Sequence, residues 1–211
     1  MRTRLTILAA GLALLLAAPA DAAQRCGPRG STTVAQSHLV RVYTGPERPR
    51  RVEPPSYACA RRTGRAYKLD SPNGDVYLEG GDLRPTGPRP QLDGTAVAYM
   101  TIAFFGDQEV AALYRLDVGS GKRVRLDAWD LDVEHAGPFH LFARGIVGWS
   151  GRHVVPPGPT PTEGQVWIHR AGAKTLLGSG PNLDPESFAV SDDRRRLFWL
   201  DGDEAHTAPV R

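Results

Sequence analysis

The chain has 211 residues, 41% of them hydrophobic and 23% charged, and a formal net charge of +3. That charge is too small to argue for a nucleic-acid partner. Beyond the N-terminus no apolar stretch approaches the ~20 residues of a membrane span, and the length suits one β domain or two small ones.

The N-terminus differs in character from the rest. Arg2 and Arg4 precede an uncharged apolar run over residues 5–16, and Ala20-Asp21-Ala22 follows. A positive start, a short apolar core and a small-residue cleavage site are the three parts of a secretory signal. Residues 1–22 are therefore expected to be a cleaved leader, and 23–211 a single domain that is secreted or periplasmic. Cys26 and Cys59, the two cysteines of the chain, both fall in the exported part, where thiols oxidise. They are expected to form one disulfide that fastens the N-terminal segment to the body. With no C-x-x-C spacing, a redox or metal pair is not expected.

Strand-like segments follow in groups. The first group covers 32–35, 39–43, 57–61 and 66–69, with Arg62-Thr63-Gly64 as a turn. The second covers 90–94, 96–100, 109–116 and 123–126, and the third 140–143, 146–150, 165–169 and 174–177. The fourth covers 187–191, 197–201 and 204–210 and ends without a closing strand. β-branched and aromatic residues dominate these segments, and Gly supplies the positive φ of their hairpin turns. The second strands begin at Leu39, Ala96, Ile146 and Leu197, a period of roughly 50 residues that fits one four-stranded blade. No amphipathic helix of several turns is present. Residues 127–138 are the best place for a short helix, or for a solvated linker between blades.

Gln91-Leu92-Asp93-Gly94-Thr95-Ala96-Val97-Ala98-Tyr99 and Ser191-Asp192-Asp193-Arg194-Arg195-Arg196-Leu197-Phe198-Trp199 resemble the turn-and-strand of TolB-like and related bacterial propeller repeats. In those, a small or acidic turn leads into an apolar strand ending in an aromatic. The resemblance extends over residues 30–211 and implies propeller architecture, but no substrate. The expected fold is all-β and propeller-like, with about four blades of four antiparallel strands. A twisted β-sandwich built from the same hairpins is the alternative. The short fourth repeat leaves two outcomes: the N-terminal segment closes the ring, or the ring stays open with an unpaired edge that favours a partner or dimer.

Chemistry is sparse. Gly148-Trp149-Ser150-Gly151-Arg152 has Arg where a nucleophile elbow needs Gly. Gly119-Ser120-Gly121-Lys122 lacks the upstream Gly of a phosphate loop and sits at a hairpin turn. The densest set of ligand-type side chains is Asp127, Asp130, Asp132, Glu134, His135 and His140. Within it Asp130, Asp132 and Glu134 alternate along a strand, and hard cations such as calcium take several oxygens. These three are the candidate metal ligands. Trp149, Trp167 and Trp199 lie on repeat strands. They are suited to core packing or, as the sharper expectation, to stacking on a sugar or peptide. The Pro-rich connections over 44–55 and 150–164 are expected to share one face, and loops of that kind carry binding function. No cofactor motif and no catalytic set is found. The expected function is a non-catalytic binding or scaffold module for a protein, peptide or polysaccharide. The alternative is a hydrolase or lyase using the propeller channel, which needs buried acids with raised pKa near the axis.

Overall fold

The computed structural model describes residues 26–46, 54–69, 89–105, 108–154 and 162–211. The expected leader over 1–22, the arginines at 48, 50 and 51, and much of both Pro-rich connections lie outside the described residues. Among the described residues no helix is long and apolar enough to cross a membrane.

Four antiparallel sheets follow one another along the chain. The first is β1 (Thr32–Gln36), β2 (Val40–Thr44), β3 (Ser56–Ala60) and β4 (Arg65–Lys68). The second is β5 (Gln91–Asp93), β6 (Ala96–Phe105), β7 (Gln108–Asp117) and β8 (Arg123–Asp130). The third is β9 (His135–Phe142), β10 (Ile146–Val154), β11 (Thr162–Arg170) and β12 (Ala173–Gly180), with a single 3-10 turn at Ala143–Gly145. The fourth has three strands, β13 (Leu183–Val190), β14 (Arg196–Asp201) and β15 (Glu204–Pro209). Every sheet is a plain meander in sequence order.

Period-two alternation gives each middle sheet two apolar faces. In the second sheet Val97, Tyr99, Ala112 and Tyr114 pack on Val40, Val42 and Ala58 of the first. Their neighbours Ala96, Ala98, Ala111 and Leu113 pack on Phe139, Leu141, Val147 and Trp149 of the third. The third sheet in turn places Val166 and Ile168 against Leu183, Phe188, Leu197 and Trp199 of the fourth. The first strands β1, β5, β9 and β13 neighbour one another in that order. At this inner rim the Gln91 side chain acts as a short strand. Its Nε2 donates to Phe139 O (2.7 Å) and its Oε1 accepts from Leu141 N (2.8 Å), joining the second and third sheets.

The architecture is thus propeller-like, with four successive sheets stacked face to face rather than the two of a sandwich. The arc is open: among the described residues the first and fourth sheets share no core. Among the described residues the fourth sheet has three strands, as the repeat pattern implies. One expectation needs correction. Residues 127–138 hold no helix, and the linker between the second and third sheets is reduced to a short turn whose Asp132 and Val133 are exposed. β8 continues to Asp130 and β9 begins at His135, with only a tight turn between them, closed by Glu134 N on Asp130 O (2.6 Å). Of the polar side chains in this stretch, Asp127 and Glu134 pack into the cleft between the sheets, while Asp132 and His135 are exposed.

Two local features set how closely the sheets approach. A Cβ at Gly164 would overlap the backbone carbonyl of Leu183, and one at Gly151 would overlap the Trp129 indole. At the start of the arc, Cys26 and Cys59 are joined across a sequence separation of 33. The bridge packs with Tyr43 and Tyr57 on the face of the first sheet turned away from the second. Arg41 locks the same segment, bonding Cys26 O, Ser31 O (3.3 Å) and Ser31 Oγ (3.2 Å).

Replacing both cysteines with serine should lower unfolding free energy by about 3–4 kcal/mol, the chain-entropy value for a loop of this size, measured by urea unfolding. Gly164→Ala should cost about 1–3 kcal/mol, because the clash is with backbone that no rotamer change relieves. An unchanged urea midpoint for Gly164→Ala would disprove the close approach of the third and fourth sheets.

Candidate functional site

The chemistry-bearing side chains gather in the cleft between the second and third sheets. Along β10 the residues facing the second sheet are Val147, Trp149, Gly151 and His153, every second position. Trp167 is the register partner of Trp149 on β11, and Leu176 is the partner of Trp167 on β12. Register partners share a face, so Trp149, Trp167 and Leu176 form a row across the third sheet. β8 brings Asp127 and Trp129 from the other side.

Asp127 is the hub. Its Oδ2 accepts from Trp149 Nε1 (2.6 Å) and from Lys174 Nζ (3.0 Å), and His153 Nε2 stands 3.5 Å away. Only 10% of the Asp127 side chain is exposed. Burial pushes its carboxyl up, but the His153 contact, the indole N–H and the Lys174 charge outweigh that and hold it below the ordinary carboxylate range. Lys174 Nζ also lies 4.1 Å from the Trp167 ring centroid and 5.3 Å from that of Trp149. An ammonium over aromatic faces beside a carboxylate satisfies its charge twice.

Glu134, in the turn after β8, is the second acid of the cleft. It accepts from Asp130 N (2.8 Å) through Oε2 and from Val154 N (3.0 Å) through Oε1. His153 Nδ1 lies 3.5 Å from the same Oε1, so this imidazole stands between two carboxylates and stacks on Trp129 (5.6 Å). Trp167 Nε1 donates to Gln165 Oε1 (3.0 Å). Trp149 and Trp129 are buried, Trp167 is half-buried, Lys174 keeps 35% of its side chain exposed, and Leu176 is exposed. The accessible surface of the cluster is therefore Trp167, Lys174 and Leu176.

Of the residues singled out in the sequence, Trp149 and Trp167 come together here. Trp199 does not: it lies in the fourth sheet, against Gly178 and stacked on His206 (5.7 Å). Asp130, Asp132 and Glu134 are used by the turn. Asp130 Oδ2 accepts from Gln108 and its Oδ1 from Asp132 N (3.3 Å), while Glu134 points back into the cleft. Among the described residues no three His, Cys, Asp or Glu side chains are placed to hold a metal ion, these three included. Lys174 and His153 are the members that sequence spacing does not single out. A signal for Lys174 exists: it is one of three lysines in the chain, against many arginines.

The class defined by fold and site is an all-β, propeller-like protein with a packed ionic and aromatic cleft between two sheets. No family model matches the chain, and no curated protein matches it. Among solved structures, TolB from Acinetobacter baumannii is similar at a TM-score of 0.36 and 16% identity, over 80% of this chain. The chain spans 37% of the length of that TolB chain.

Asp127 binds its proton more weakly folded than unfolded. Its contribution to stability is therefore full above the unfolded pKa of ~3.9 and is lost as pH falls through the lower folded value. Asp127→Asn should cost about 2 kcal/mol at neutral pH, with the gap to the wild type closing in acid below that range. Urea unfolding at neutral and acid pH measures both. A pH-independent difference would mean that packing, not charge, sets the cost.

Proposed function

We propose that the chain is a non-catalytic binding module of an oxidising, extracytoplasmic compartment, recognising a peptide or polysaccharide on the Trp167–Lys174–Leu176 ledge. The observation that carries this reading is the commitment of the cleft's acids to the fold. Asp127 holds an indole and an ammonium, and Glu134 holds two backbone N–H groups. A general acid or base needs a proton it can exchange with a substrate, whereas these carboxylates serve to fix Trp149, Lys174 and His153. The ledge combines an aromatic face, an apolar side chain, an ammonium and the Gln165 amide, the mixture that suits a ligand with both apolar and polar sides. The Cys26–Cys59 bridge and the sequence's leader-like start support the compartment.

Glycan-array and peptide-library screens followed by calorimetry test the reading. Trp167→Ala and Lys174→Ala should each weaken a captured ligand at least about tenfold, and Trp167→Phe should retain most of the affinity. Ligands that bind the variants as well as the wild type, or that are chemically turned over, would overturn it.

A further inference from the structure

The two ends of the arc are finished differently. Residues 26–31, held by the disulfide and by Arg41, lie over the part of the first sheet's outer face formed by Tyr43, Tyr57 and Cys59. The outer face of the fourth sheet is bare among the described residues. There β14 turns Phe198 (38% exposed) and Leu200 (41% exposed) away from the core, while Leu197 and Trp199 between and beside them are buried. Register sets their neighbours. Ala189 and Thr207 flank Phe198, Asp184 and Ala205 flank Leu200, and Arg196 pairs with Pro209. All of these are exposed. Two large apolar side chains thus stand among Ala189, Ala205, Thr207 and Pro209, beside the irregular stretch of β13 between Asp184 and Ala189, and another sheet would seat on them at ~10 Å. The face is charged at its ends and opposite in sign: Arg196 at one and Asp184, the register partner of Leu200, at the other.

We propose that this face binds the same face of a second copy of the chain, forming a two-fold dimer of stacked fourth sheets. A two-fold axis in the interface and across the strands runs the two copies of β14 antiparallel. With the axis level with Phe198, it stacks Phe198 on Phe198 and sets Arg196 of each copy over Leu200 of the other, one strand across from Asp184. An axis along the strands would place arginine on arginine, so charge selects one orientation. A head-to-tail contact, fourth sheet on first sheet, would propagate into a ring or filament. Residues 26–31, standing on the first sheet's outer face, obstruct it. What remains is a closed, self-complementary pair.

Sedimentation of the full chain with its disulfide intact tests this. The expected result is a monomer–dimer equilibrium that Phe198→Glu weakens at least about tenfold. Arg196→Asp and Asp184→Arg should each weaken self-association, and an equimolar mixture of the two variants should restore dimers, since only the mixed pair has opposite charges at both contacts. These positions are exposed, and circular dichroism of each variant checks that it folds. A chain that stays monomeric to about millimolar concentration overturns the proposal. So does a dimer indifferent to Phe198→Glu, or a mixture that fails to recover. Ledge variants at Trp167 should leave the dimer intact, which separates this outcome from the ligand-binding reading.

Discussion

A β-sheet whose two faces are both apolar has to be covered twice, and the rest of this structure depends on that requirement. The second sheet states it most clearly: Val97 and Tyr99 look one way, Ala96 and Ala98 the other. Small residues face the third sheet because bulky indoles occupy that space, Trp129 from one side and Trp149 from the other. Removing side chains at Gly151 and Gly164 allows the approach that packing demands. The radial order of the sheets is then a consequence of where volume is spent and withheld along each strand.

Placing polar groups in such an interface is costly unless each is answered. Asp127 answers the Trp149 indole and Lys174, and Glu134 answers two backbone N–H groups, while His153 Nε2 and Trp129 Nε1 are buried without a hydrogen-bond partner. Charge of this kind fixes geometry more than it adds stability. It holds the Trp149–Trp167 row in place at the outer end of the cleft, where the row meets solvent. A rigid aromatic and a partly exposed ammonium need little reordering when something binds, which keeps the entropic cost of association low.

Much of the fold is legible in the sequence, because strands announce themselves by alternation and turns by glycine. The repeat at Leu39, Ala96, Ile146 and Leu197, the Cys26–Cys59 pairing and the short fourth repeat all follow from local patterns. The site is less legible. Asp127 and Glu134 sit in an acid-rich stretch whose composition matches a solvated linker, and nothing local reveals that another sheet lies over it. Trp199 shares a repeat position with Trp149, yet successive sheets put equivalent positions in different interfaces. Spacing gives the position within a sheet, while the neighbour across the interface depends on the stacking order of all four.

The bridge at the start of the arc has a consequence for how the molecule is held together. Both cysteines belong to the first repeat, and the contacts that bring them together come from β2, β3 and Arg41. Nothing beyond β3 is needed to close it. The covalent tie therefore lies wholly within the first repeat, and none of the three interfaces between sheets is cross-linked by it.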